Sequence, residues 1–269
     1  MKKKLRQSKI VDIIRSKDRV TVEELATNLD ISRETIRRDL TDLANSGKIL
    51  KVHGGATLPR VFGEGSFQQR MSDNPEAKAR IARLAASKFT TGETIFIDTG
   101  STTLYFAEEL AELSGLTIVT NSTEIARIVS STGNDNRTFL LGGEFNPDNR
   151  QTIGTMVTAQ IRSFRAHHAV LTIGALDART GIMDFDIEEA QVARTMIEQS
   201  QFVTILADSS KFNGLASFDI CPLSSINQLI CDVKPPDDLA RALEEAGVEI
   251  IFAQVEAENP VESSYSDDR

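Results

Sequence analysis

Ser32-Arg33-Glu34-Thr35-Ile36-Arg37-Arg38-Asp39-Leu40 is the stretch on which the fold of the N-terminal part turns. Ile36, Leu40 and Leu43 fall at i, i+4 and i+7, one apolar stripe of a helix. Glu34, Arg38 and Thr41 point the opposite way, with Arg37 on the flank. Ser32 stands at the N-cap position and Gly47 where a helix should stop, so the spacing predicts a helix over about 33–46. Upstream, Thr21 and Glu24 form a capping box that opens a short helix through Leu29. Asp30-Ile31-Ser32 leaves room only for a tight turn between the two. A first helix over about 5–16 would turn Ile10, Ile13 and Ile14 inward. Downstream, the residues from Lys48 to Thr57 alternate and turn at Gly54-Gly55, as a β-wing does. The pattern is a winged helix-turn-helix.

Charge supports the same reading. Residues 1–60 carry 14 Lys and Arg against 8 Asp and Glu, a net of +6, while the rest carries 16 against 31, a net of −15. A basic head on an acidic chain is the asymmetry expected when one end meets phosphate. Two adjacent arginines on an arbitrary helix usually form a solvated face. The cap, the tight turn, the basic head and the wing together outweigh that reading. The residues placed to contact DNA are Ser32, Arg33, Thr35, Arg37, Arg38, Lys51 and His53. Arginine forks onto guanine or holds a phosphate, and sequence leaves open which arginine does which. His53 reads equally as a groove contact or as an ordinary exposed histidine.

The 269 residues have room for one large domain beside the small one. The expected division is a head over 1–58, a linker over 59–75, an α/β domain over 76–253 and an acidic disordered tail over 254–269. Cys221 and Cys231 match no zinc or redox spacing and are expected to be reduced and structural. Lys2-Lys3-Lys4 precedes a mixed helix rather than the apolar core of a signal peptide, and no apolar run is long enough to span a bilayer. A cytoplasmic protein, at the nucleoid when bound to DNA, is therefore expected. The absence of tryptophan and the few aromatic residues argue against stacking on single strands. No metal and no cofactor is expected.

Beyond Glu76, short apolar runs alternate with helical ones. Strands are expected at 94–98, 116–120, 137–141, 169–173, 202–207, 228–231 and 248–252. Such alternation predicts βαβ units and a mostly parallel sheet, with ligands beyond the C-terminal strand ends. Small and polar residues recur there: Asp98-Thr99-Gly100-Ser101-Thr102-Thr103, then Asn121-Ser122, Gly142-Gly143, and Asp208-Ser209-Ser210-Lys211. Gly100 to Thr103 lead into a helix N-terminus, where free N–H groups and the dipole favour an anion. Each has a plain alternative as a turn, cap or surface residue; their recurrence at successive strand ends favours a ligand. Asp184, Asp186, Glu188 and Glu189 either touch a ligand or cap the helix beginning near Ile187, with acid–base catalysis the weakest reading.

In this order the motifs resemble the DeoR family of bacterial regulators over about residues 3–253. The resemblance rests on Thr35 to Leu40, His53 to Ala56, Asp98 to Thr103, Thr120-Asn121-Ser122, Leu141-Gly142-Gly143 and Asp208 to Lys211. It implies a C-terminal sensor domain similar to ribose-5-phosphate isomerase and a repressor that binds double-stranded operator DNA. A phosphorylated sugar or polyol would be the effector, with the Gly100-to-Thr103 turn as phosphate cradle. Asp98, Asn121, Ser122, Gly142, Gly143, Arg150, Asp184, Glu188 and Lys211 would complete the effector site. Met183 to Glu189 is similar to the matching segment of the family's glycerol-3-phosphate repressors, which makes glycerol 3-phosphate a candidate effector. Many members place a basic residue where Asn146 stands, and Arg150 is the nearby substitute. A homodimer or homotetramer is expected, with no membrane partner. Two alternatives stand beside this reading. One is a sugar-phosphate isomerase-like enzyme with Asp177 and Glu188 as acids; Ala178-Arg179-Thr180-Gly181 lacks the lysine and glycines associated with that enzyme. The other is a DNA-binding protein whose second domain only oligomerises.

Overall fold

A computed structural model describes residues 3–17, 19–45, 49–52, 54–57 and 65–253. His53, most of the linker's first half and the acidic tail over 254–269 lie outside the described residues. The chain divides into two compact units, Met1–Phe62 and Gly63–Arg269.

The first unit runs α1 (Lys3–Lys17), β1 (Arg19–Thr21), α2 (Val22–Leu29), α3 (Arg33–Asn45), β2 (Leu50–Val52) and β3 (Gly55–Thr57). Ile10, Ile14, Leu25, Ile36, Leu40 and Leu43 close one apolar core, which Val20 and Ala56 seal from the sheet. Thr21 and Glu24 form the expected capping box. The wing has a strand that periodicity does not reveal: β1 pairs antiparallel with β3, giving the order β1-β3-β2. Three residues are too few to display a period of two. An ion pair between the part-buried Arg6 and the buried Asp39 holds α1 to α3. Asp39 accepts from Arg6 Nε and, at 3.1 Å, from Arg6 Nη2, and these bonds raise the Arg6 pKa further.

The second unit opens with α4 (Phe67–Ser72) and α5 (Pro75–Ala86). It continues through β4 (Thr94–Ile97), α6 (Ser101–Leu110), β5 (Thr117–Thr120), α7 (Thr123–Ser130) and β6 (Arg137–Leu140). A hairpin follows, β7 (Glu144–Asn146) and β8 (Gln151–Ile153), then α8 (Thr155–Ile161) and β9 (Ala166–Leu171). Next come β10 (Ala175–Asp177), β11 (Gly181–Asp184), α9 (Ile187–Glu198), β12 (Ser200–Ala207) and β13 (Phe218–Cys221). The unit ends with β14 (Gln228–Cys231), α10 (Asp237–Glu245) and β15 (Glu249–Phe252).

Seven strands form one sheet in the order β15-β14-β12-β9-β4-β5-β6, parallel throughout. Its strands are apolar on both faces because both are covered. Ile95 and Ile97 pack with α5, α6 and α7, whereas Phe96 between them packs with α8, α9 and α10. From β4 the chain builds outward through β5 to β6, then returns to lay β9 on the other side of β4. The sheet's topological switch point therefore lies between β4 and β9, where open α/β sheets form their ligand crevice.

Several expectations need correction. Residues 67–72, expected as linker, are helical: Ser66 Oγ accepts from Gln69 N–H at 3.2 Å and Phe67 is buried in the core of the second unit. Asn74-Pro75, at the end of the same expected linker, reads in sequence as a cap and first turn for α5, yet the Asn74 side chain makes no cap bond; its φ is +51° and its amide donates to Asp208 instead. β9 begins three residues before the apolar run starts, because His168 packs edge-on against Phe89 and Phe202 and bonds Glu93 at 3.2 Å. The hairpin β7–β8 and the antiparallel trio β10-β11-β13 have no counterpart among the expected strands. Burial pushes the thiols up, to about 11 for Cys221 and about 12 for Cys231, so neither is a nucleophile near neutral pH. Among the described residues no helix is long and apolar enough to cross a membrane.

Candidate functional site

Two sites emerge, one in each unit. In the first, the polar face of α3 forms a shallow groove with residues of α1. Thr35, Arg37 and Arg38 line it together with Glu34 and Thr41. The Arg37 and Arg38 side chains are 64% and 79% exposed, and both lean on Glu34, at 3.9 and 3.4 Å. Such exposed pairs contribute little and exchange readily for a phosphate or a base edge. Ser32 is the N-cap: its Oγ accepts from Thr35 N–H at 3.3 Å and lies 2.9 Å from the Thr35 hydroxyl. Arg33 pairs with Glu23 on α2. Lys51, on β2, donates to Thr41 Oγ1 at 3.1 Å, which sets the wing beside the polar face of α3. Ser32, Arg33 and Lys51 thus flank the groove rather than line it.

The second site lies at the switch point. Asp98 closes β4 and accepts from Thr172 N–H, just past β9, at 3.0 and 3.1 Å. Gly100 follows because the two strand ends nearly touch: a Cβ there would lie 1.9 Å from Thr172 Oγ1. No side chain caps α6, so its first N–H groups are left to another acceptor. Asp98, Ser101, Thr102, Asn121, Asp184 and Lys211 all line one recess.

The recess wall is prearranged by hydrogen bonds. Asn121 Nδ2 donates to Gln151 Oε1 at 3.1 Å and to Thr152 O at 3.0 Å. Gln151 and Asn149 both donate to Glu189 Oε1. Asp184 accepts from the N–H groups of Phe185 at 2.6 Å and Asp186 at 3.0 Å. Lys211 arrives on a 3₁₀ turn that Asp208 caps by accepting from Ser210 N–H at 2.9 Å. Carboxylates suit hydroxyl donors, while Lys211 and the α6 N-terminus suit an anion.

Other candidates serve the frame. Thr103 is fully buried and donates to the carbonyls of Asp98 and Gly100. Ser122 caps α7. Gly142 exchanges two hydrogen bonds with the Gln160 amide. At Gly143 a Cβ would meet Ile153 O at 2.6 Å, so the glycine lets β7 and β8 close. Glu188 does not line the recess; its N–H bonds the cap Asp186, and the lining acid is Glu189, one residue on. Arg150 also stays outside, 56% exposed and 3.7 Å from Glu124. Sequence reasoning misses Arg70, Gln151, Thr172, Ile173, Val192, Ala193 and Leu206, which complete the lining with Thr99 and Glu189, named there only as members of their motifs. Glu189 is visible in sequence only as one of four neighbouring acids; Arg70 has a signal in the Ser66-x-x-Gln69 start of α4.

Comparison with known proteins agrees with this division. The family model for the DeoR-like helix-turn-helix domain matches residues 6–61, and that for the DeoR C-terminal sensor domain matches residues 73–233. The chain is 31% identical over 252 residues to the HTH-type transcriptional repressor CsqR of Escherichia coli, covering 94% of this chain and 96% of that protein. It is 32% identical over 250 residues to the glycerol-3-phosphate regulon repressor of the same organism, covering 93% and 99%. The HTH-type transcriptional repressor GlcR of Bacillus subtilis is 31% identical over 91% of this chain and 94% of its own. Among solved structures, ribose 5-phosphate isomerase A of Methanocaldococcus jannaschii matches with a TM-score of 0.38 and 17% identity, over 52% of this chain and 55% of that one. The two family models and the near full-length relatives place the chain in the DeoR family.

Proposed function

We propose that this chain is a DNA-binding transcriptional repressor of a sugar or polyol catabolic operon, released from its operator by a phosphorylated sugar or polyol. The observation that carries the reading is a polar, cation-bearing recess at the sheet's switch point, in the same chain as an exposed arginine helix. Glycerol 3-phosphate is the first effector to try, because one relative is a glycerol-3-phosphate regulon repressor. A phosphate would take the α6 N-terminus and Lys211, and hydroxyls would take Asp98, Asp184 and Glu189. The protein acts by binding and not by catalysis, as its relatives named as repressors support. Two copies would present two reading heads to repeated or palindromic half-sites, as a homodimer or homotetramer. No cofactor takes part, and the site of action is the nucleoid in the cytoplasm.

Fluorescence anisotropy on the duplex upstream of the neighbouring operon tests this. At fixed salt, tight binding is expected, weakened by one compound among glycerol 3-phosphate and a set of sugar phosphates. Tight binding indifferent to every compound would remove the effector half of the reading.

A further inference from the structure

Arg150, the expected second anchor for a charged ligand, pairs with Glu124 outside the recess. A different cation, Arg70 on α4, lines it. Arg70 is held ready: Nη2 donates to Asn149 Oδ1 at 2.8 Å, and the guanidinium lies 5.4 Å from the ring centroid of Phe67. Asn149 in turn donates to Glu189, so Arg70 belongs to the same polar wall. An arginine fork held this way meets a phosphate with two parallel bonds, where Lys211 offers only a point charge.

The placement of α4 in the chain gives this contact a second consequence. It is the first described element of the second unit, joined to the head through residues 58–66. Its joint to α5 is Asn74, in the left-handed region at φ +51°, whose amide donates to Asp208 Oδ1 at 3.1 Å. Asp208 caps the turn that carries Lys211. One joint therefore connects both recess cations, α4 with Arg70 on one side and the Lys211 turn on the other.

We propose that Arg70 binds the anionic group of the effector directly, and that through α4 this contact carries effector occupancy to the DNA-binding unit. The inference rests on the reading of the recess as an effector site. An effector acts only by binding two states of the protein unequally. A ligand that grips Arg70 changes the free energy of α4's position, and α4 leads the chain into the head.

Titration calorimetry of the full chain with glycerol 3-phosphate and a panel of sugar phosphates, paired with operator anisotropy, tests the inference. Arg70→Gln keeps a donor within reach of Asn149 and removes the charge. It is expected to weaken binding of the compound that the wild type takes by about tenfold to a hundredfold, the range of a charge-assisted hydrogen bond. At concentrations that saturate the variant, operator release is expected to fall well short of the wild type's. Arg70→Lys, which keeps the charge and loses the fork, is expected to fall between, and it decides the matter if the Gln variant folds poorly. A variant that binds with wild-type affinity, or that releases the operator fully once saturated, overturns the inference. A wild type that binds no compound of the panel overturns the effector reading itself, and this inference with it.

Discussion

Arg37 and Arg38 share a single carboxylate, Glu34, and each stays more than half exposed. Neither is needed to hold the head together, so replacing one should act on DNA alone. Arg37→Ala is expected to weaken operator binding by about 1–3 kcal/mol if the side chain forks onto a base. Its melting temperature should stay within about a degree or two of the wild type's, as for other exposed substitutions. Anisotropy across a salt series separates the two roles of Arg37. If it reads a base, the variant keeps the wild-type salt slope; if it holds a phosphate, the variant's slope is shallower. Asp39 stands in the same helix and has the opposite character. It is buried and bonded to the part-buried Arg6, so Asp39→Ala removes a charge-assisted link between α1 and α3 and is expected to cost the head about 1–3 kcal/mol, read by denaturant unfolding. The neighbouring residues of one motif thus divide between recognition and cohesion. Sequence periodicity shows which face is polar, but nothing in it marks Asp39 as an internal partner 33 positions from Arg6.

Helices with strong caps or long apolar stripes are legible in the sequence. α2 begins where Thr21 and Glu24 predict, and α3 where Ser32 does. The Glu24 carboxyl is held below its ordinary value of 4.5 by the backbone N–H and hydroxyl of Thr21. A depressed carboxyl stabilises the fold above that value and loses the contribution as pH falls through the lowered one. Thr21→Ala is accordingly expected to cost the head about 1 kcal/mol near neutral pH, with the difference from wild type shrinking in acid. Thermal melts at several pH values check it. What stays illegible is fixed by contacts distant in sequence. α4 looks like linker because its one buried apolar anchor, Phe67, meets partners only in the folded second unit. Glu189 rather than Glu188 lines the recess because Asp186 starts α9 and so sets which acid turns inward. The crossing of α6 and the end of β9 is equally invisible in sequence, yet it fixes Gly100. Gly100→Ala would drive a methyl into the β-branched Thr172, which cannot swing away cheaply. The expected cost is about 1–3 kcal/mol in stability, together with weaker effector affinity, measured by melting and titration.

At the scale of the whole chain, the charge is split as the function demands. The first 60 residues carry +6 and the remainder −15, so DNA is drawn to the head and repelled elsewhere. The proposed effector is an anion as well, and the recess proposed to hold it lies in the acidic part of the chain. Net charge would not collect such an anion; it would rely on the local cations Lys211 and Arg70 that line the recess and on the dipole of α6. On this proposal the two anions are recognised by separate chemistry and are linked only through conformation. That linkage carries a strict consequence. If saturating effector weakens operator binding by some factor, saturating operator must weaken effector binding by the same factor. Couplings of this kind are typically about 1–3 kcal/mol, or roughly 5-fold to 150-fold. Titration of the effector into the free protein, and into protein saturated with operator duplex, is expected to return the factor that anisotropy gives for release. A factor that levels off at saturating effector would mean that one conformational equilibrium joins the recess to the head. A release factor that keeps growing as the compound is added would mean that it competes with DNA directly, as at the arginine face of α3, and the recess would lose its role as the sensor.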